Sequence, residues 1–202
     1  MAHIAKAYTV IVNLQDSESG TFAGDEWGEI DTRFLYGALN ALSLMGKLHL
    51  VNTEKALEHI QASANVDGGY GTGPGAESHS GQVFTCVGAL TILGRLDLVD
   101  RDKLGGWLSE RQLPNGGLNG RPEKREDVCY SWWVMSSLAM IDRLHWIDGE
   151  KLTSFILKCQ VNNTATAKNA FINIRRIPTM AAYQTVQVIW WTSSILYLVL
   201  LV

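Results

Sequence analysis

Apolar positions along this chain recur in two alternating kinds of run. One kind, residues 32–45, 81–93 and 128–141, is of helix length and apolar almost all round, which predicts a buried helix. The other, as in "NTEKALEHIQAS" and "DGEKLTSFILKCQ", carries Glu and Lys on one face and predicts an outer, amphipathic helix. Asn52, Asp100 and Asp148 each precede a charged first turn, where helix N-caps belong. Strict alternation with β-branched enrichment, the mark of strands, is missing. The chain reads as helical hairpins.

These hairpins repeat every 48 residues, a period that decides architecture before any local feature does. Gly20-Thr21-Phe22-Ala23-Gly24, Gly68-Gly69-Tyr70-Gly71-Thr72 and Gly116-Gly117-Leu118-Asn119-Gly120 lie 48 apart, as do Gly46-Lys47-Leu48, Gly94-Arg95-Leu96 and Asp142-Arg143-Leu144. Three unbroken units stack inner helices against outer ones, so the expected fold is all-α, an α-α toroid or incomplete α/α barrel. Where a glycine loop enters each inner helix, Asp31, His79 and Asp127 share one repeat position. Arg33, Gly81 and Cys129 share a second, and Phe34, Gln82 and Tyr130 a third. Around a ring, those positions converge on one mouth of the central cavity.

Composition changes the picture near the C-terminal end. Residues 1–160 hold all 19 glycines and all 20 acidic residues, whereas 161–202 contain none of either and only Lys168, Arg175 and Arg176 as charges. Two regions are expected, the repeats over 1–160 and a divergent apolar tail over 161–202. Within the tail, "VQVIWWTSSILYLVLLV" reaches the lower limit of a membrane span. Because the 48-residue repeat is lost at the same junction, the tail resembles an unselected reading frame more than a tail anchor. It is expected to make the protein prone to associate.

At 202 residues and 47% hydrophobic, the chain can bury a substantial core, and a formal charge of -3 gives no general pull toward nucleic acid. Three widely spaced cysteines, Cys86, Cys129 and Cys159, with no secretory signal ahead of them, argue for reduced thiols and a cytoplasmic setting.

The densest chemistry lies in "GGLNGRPEKREDVCYSWW". Asp127 and Cys129 offer a hard and a soft ligand, a pair that suits zinc if a histidine joins them; alternatively Asp127 caps the helix and Cys129 is a small buried apolar residue. Arg121, Lys124 and Arg125, close to Tyr130 and facing His79, form the kind of donor cluster that holds a diphosphate, or else a solvated basic loop. Trp132, Trp133, Phe84 and Tyr36 either line an apolar pocket or are plain core.

"GTFAGDEWGEIDTRFLYGAL", "DGGYGTGPGAESHSGQVFTCVGAL" and "GGLNGRPEKREDVCYSWWV" resemble consecutive repeats of the β subunits of protein prenyltransferases, over about residues 10–160. The double Trp and "LNGRPEK" are most similar to the type II, Rab geranylgeranyltransferase, branch. The resemblance implies a transferase that moves a geranylgeranyl group from geranylgeranyl diphosphate to C-terminal cysteines of Rab GTPases. It also implies a prenyltransferase α subunit as heterodimer partner, an escort protein that presents the Rab, and no nucleic acid. By position it implies Asp127, Cys129 and Tyr130 as catalytic residues, with Asp127 and Cys129 as zinc ligands. His79, Gly81, Arg121, Lys124, Tyr130 and Trp133 match its substrate-binding set. The third ligand that it implies is a histidine of the next repeat, and no histidine follows His145. It further implies hairpins on both sides of these three, so the chain is expected to be a truncated or variant member with impaired activity. A non-catalytic helical-repeat interaction protein is the alternative; a triterpene-cyclase-like barrel is disfavoured because no Asp-rich protonating motif is present.

Overall fold

The computed structural model describes residues 2–25 and 27–159. Expectations for the 161–202 tail and for any ligand beyond residue 160 lie outside the described residues. Seven helices occupy the described chain: α1 (Ala2–Asn13), α2 (Thr32–Leu44), α3 (Thr53–Ala62), α4 (Ser80–Ile92), α5 (Arg101–Ser109), α6 (Cys129–Met140) and α7 (Gly149–Lys158). Short 3₁₀ turns at Leu48–Leu50, Leu96–Leu98 and Leu144–Trp146 join inner to outer helices, again 48 apart. Among the described residues there is no strand beyond isolated bridges near the glycine loops.

Caps set the helix starts. Asn52 accepts from the Lys55 N–H at 3.0 Å, Asp100 from Lys103 at 3.0 Å, and Asp148 from Glu150 and Lys151 at 3.1 and 3.0 Å. Each bond satisfies a donor that the first helical turn leaves without a partner. Two glutamines hold the caps themselves, since the N–H of Asn52 donates to Gln15 and that of Asp148 to Gln112, both at 2.8 Å.

Inner helices α2, α4 and α6 lie side by side, with α4 in the middle. The core repeats with the sequence: Leu42, Leu90 and Leu138 stand 48 apart and are fully buried, as nearly are Phe22, Tyr70 and Leu118 of the glycine loops. Ile60, Leu108 and Ile156 close the same core from the outer helices. The loops also stitch one repeat to the next. Thr32 N–H donates to Thr72 O at 3.1 Å and Ser80 N–H to Gly120 O at 2.8 Å, so the first turns of α2 and α4 are each held by the following glycine loop.

Glycine is required where those loops meet the outer helices. Gly20, Gly68 and Gly116 have φ of 71°, 92° and 89°, and a Cβ on Gly116 would lie 2.4 Å from the Lys151 carbonyl oxygen. At the end of the inner helices Gly46 and Gly94 adopt φ of 64° and 68°; Asp142 takes the same position at φ 60°, a conformation that Asp tolerates better than most residues.

One sequence expectation needs correcting. The inner runs are not all buried all round: Ser80 and residues 82–90 of α4 are buried throughout, but α2 and α6 alternate buried and partly exposed positions. The reason is neighbours. α4 has an inner helix on each side, whereas α2 and α6 have one apiece among the described residues.

Candidate functional site at the cavity mouth

At the position shared by Asp31, His79 and Asp127 each side chain accepts the N–H two residues on; Asp31 and His79 are the N-caps of α2 and α4, whereas Val128 is the N-cap of α6 and Asp127 stands one residue before it. Asp31 accepts from Arg33 N–H at 2.7 Å, His79 Nδ1 from Gly81 N–H at 3.1 Å, and Asp127 from Cys129 N–H at 2.9 Å. These bonds fix the orientation of each side chain at the lip, which is what a site built by repetition needs.

Asp31, Arg33, Thr72, Ala76, Glu77, His79, Gln82, Arg121, Lys124 and Tyr130 line one cavity of about 650 Å³ at that lip. Four residues expected from the sequence, His79, Arg121, Lys124 and Tyr130, therefore share its wall. Gly120 lets them approach: a Cβ there would lie 2.5 Å from His79 Nε2 and 2.6 Å from the Tyr130 ring. Gly81 and Trp133 stand behind His79, with a Cβ on Gly81 reaching 3.2 Å from His79 Nδ1 and 3.5 Å from Trp133. Trp133 packs edge-on to Tyr130 and His79, ring centres 5.5 and 6.3 Å apart. Arg125 is exposed and is not part of the wall.

Arg33, Glu77 and Gln82 were not assigned a role from the sequence. Arg33 shares a repeat position with Cys129 and Gln82 one with Tyr130, a signal that was available; nothing local distinguishes Glu77. Arg33 pairs with Asp31 at 2.9 Å, and Arg121 pairs with Glu77 across the gap between two rim loops. Lys124 makes no ion pair among the described residues.

Protonation favours anion binding. Burial, then the charge of Arg121, holds His79 below the usual histidine range, so the imidazole is neutral at pH 7. Since Nδ1 accepts from Gly81, the ring proton sits on Nε2, the nitrogen beside Gly120 and Tyr130. Burial, then the neighbouring Cys129 and Asp127, raises Tyr130, which stays a phenol and a donor. Two cations, a phenol and an imidazole N–H can thus converge on one polyanion.

His79 should also make stability depend on pH. Its folded value is depressed, and so is that of His59, by burial. An unfolded histidine titrates near about 6.5. The unfolded chain therefore binds more protons below that pH, and stability is complete above about 6.5 and falls as the pH drops through the folded values. The melting midpoint is expected to fall between pH 7.5 and 5.5, and to fall less steeply in His79→Asn, which keeps a cap without a titrating ring. Equal slopes in the two proteins would remove His79 from the explanation.

One turn below the lip a second repeat position carries Tyr36, Phe84 and Trp132, 48 apart. Their rings meet edge to face with centres 5.4 and 6.4 Å apart. This ladder joins the three inner helices, and a Cβ on Gly88 would come within 2.7 Å of Tyr36.

Asp127 and Cys129 sit next to Tyr130 but outside the cavity wall. Cys129 is exposed, which corrects the alternative that it is a buried apolar residue. Partial withdrawal of its thiol from water, then the hydrogen bond and charge of Asp127, push it up to about 11. A catalytic zinc takes three protein ligands. Among the described residues no group of three His, Cys, Asp or Glu is placed to hold a metal, so this pair alone does not complete a zinc site.

The family model for the prenyltransferase alpha-alpha toroid domain matches residues 1–170. The chain belongs to the prenyltransferase α-α toroid family. Within it, the chain is 58% identical over 70 residues to the geranylgeranyl transferase type-2 subunit beta of Saccharomyces cerevisiae, covering 35% of this chain and 22% of that one. It is 54% identical over 68 residues to the Candida albicans type-2 subunit beta, covering 34% and 20%. Its fold matches the solved Candida albicans protein geranylgeranyltransferase-I complexed with GGPP, with a TM-score of 0.60 and 27% identity over 71% of this chain and 46% of that one. The chain thus spans under half of that toroid, and its aligned segments about a fifth of the two curated relatives. No helix among the described residues is long and apolar enough to cross a membrane.

Proposed function

We propose that this chain is the β-subunit-like part of a type II protein geranylgeranyltransferase. It would work with an α subunit in the cytoplasm, on Rab GTPases presented by an escort protein. The observation that carries this reading is the cavity wall of Arg121, Lys124, Tyr130 and His79 above an aromatic ladder, which suits a ligand that is diphosphate at one end and hydrocarbon at the other. The similarity to type-2 β subunits and to a solved toroid complexed with GGPP supports it.

In the transfer, the acceptor thiol gives its proton to solvent, the thiolate forms a carbon–sulfur bond as the carbon–oxygen bond to the diphosphate breaks, and the electron pair of that bond leaves with the diphosphate. Arg121 and Lys124 hold the phosphoryl oxygens, while the Tyr130 hydroxyl and the His79 Nε2–H donate to the charge that develops there. Trp133 braces Tyr130 and His79 from behind, and Gly81 keeps the space between His79 and Trp133 open.

Zinc is the metal that the family resemblance implies. Asp127 and Cys129 would be two of its ligands, and reduced activity of the chain as it stands is part of the proposal. That incomplete donor set is also the one observation in favour of a second reading, a helical-repeat interaction protein that binds a partner without catalysis. Within the chain, the repeats are proposed to form one unit through residue 160, with 161–202 apart from it.

Titrating the full chain with geranylgeranyl diphosphate, read by tryptophan fluorescence, tests the proposal. A saturable change is expected, because Trp132 and Trp133 lie beside the expected hydrocarbon and headgroup; no binding would favour the interaction protein.

A further inference from the structure

Three cations and two carboxylates meet in the cavity, and the carboxylates are not equivalent. Asp31 is committed: its side chain is 6% exposed, it caps α2 through Arg33 N–H, and it pairs with the Arg33 guanidinium. Glu77 is 61% exposed and has no bond among the described residues other than the one to Arg121. Its loop is fixed independently, since Asn65 Nδ2–H donates to Ala76 O at 2.8 Å and to Ser78 Oγ at 2.9 Å. Arg121 in turn belongs to the next rim loop, which Asn119 Nδ2–H holds through Lys124 O at 2.9 Å. Two anchored loops therefore present opposite charges to each other inside a cavity that also exposes Lys124.

We propose that Glu77 is a built-in competitor for the anion, occupying Arg121 in the empty cavity and giving it up when a diphosphate arrives. This rests on the reading of the cavity as a diphosphate site and adds a control on affinity to it. A carboxylate and a phosphoryl oxygen compete for the same guanidinium fork, so only an anion that also engages Lys124 displaces Glu77. The same exchange helps the diphosphate leave, because Glu77 is at hand to retake Arg121. Glu77 thereby sets a threshold of charge: a diphosphate passes it more readily than a singly charged anion.

Inorganic pyrophosphate, titrated calorimetrically at low salt into the full chain, tests this in four forms: wild type, Glu77→Gln, Arg121→Ala, and both together. Glu77→Gln is expected to tighten binding about two- to fivefold, the scale of one exposed ion pair released at low salt. In the Arg121→Ala background the same change is expected to gain markedly less. Unchanged or weaker binding by Glu77→Gln overturns the competitor while leaving the diphosphate site standing. An equal gain with and without Arg121 also overturns it, since Glu77 would then act only as a nearby negative charge. No binding by any form overturns both.

Discussion

Replacing Arg121 and Lys124 together by alanine is expected to lower the affinity for geranylgeranyl diphosphate by 100-fold or more. Each contact of this charged kind contributes on the order of 1.5–3 kcal/mol, and tenfold is about 1.4 kcal/mol, so the loss of one residue alone should cost about 10- to 100-fold. Arg121→Ala should be the worse of the two single changes, because it removes a cation and leaves Glu77 unpaired in the cavity. Lys124→Ala removes a charge that no carboxylate in the described structure covers. Neither side chain lies in the core, so folding should be intact, and circular dichroism would check it. Affinity within a factor of two of wild type in the double variant would return these residues to a solvated basic loop.

The largest effect on stability is expected at Leu90. It is about 1% exposed in the middle inner helix, and Leu42 and Leu138 occupy the same position in the flanking repeats. Leu→Ala at such a site costs about 2–5 kcal/mol, from lost burial and from the cavity left behind. Folded domains are stable by only about 5–15 kcal/mol, so Leu90→Ala should leave the chain marginal. In a stack of repeats each unit relies on its neighbours, and α4 contacts both α2 and α6. Leu90→Ala should therefore lower the urea midpoint more than Leu42→Ala or Leu138→Ala does. Equal shifts at all three positions would mean that the repeats contribute independently.

Much of this arrangement was legible in the sequence because repetition turns spacing into position. Asp31, His79 and Asp127 at one phase had to sit at equivalent helix entrances, and in the structure each accepts the N–H two residues on, Asp31 and His79 as N-caps and Asp127 one residue before the N-cap Val128. Asn52, Asp100 and Asp148 were readable as caps from their own short context. The same phase argument brought His79 and Tyr130 to one mouth, and Arg121 and Lys124 joined them by lying in the loop just ahead of the helix that carries Tyr130. The Glu77–Arg121 pair was not legible, since it depends on how two rim loops 44 residues apart face each other. Cys129 gave the opposite difficulty. A thiol inside an apolar run reads as buried, but α6 has an inner neighbour on one side only in the described structure, and its first turn stays in contact with water. The aromatic ladder of Tyr36, Phe84 and Trp132 was open to discovery by the 48-residue phase, yet its rings, grouped with Trp133, read only as a pocket lining or plain core.

The central claim is that the cavity at the mouth of the toroid takes the diphosphate end of an isoprenoid. The most direct measurement is competition, with geranylgeranyl diphosphate titrated into the full chain at increasing concentrations of inorganic pyrophosphate. If the headgroup occupies the wall of Arg121, Lys124, Tyr130 and His79, pyrophosphate raises the apparent Kd linearly with its concentration, and loses that effect when Arg121 and Lys124 are both alanine. An apparent Kd that does not move with pyrophosphate would contradict the claim, because the lipid would then be held by its hydrocarbon alone.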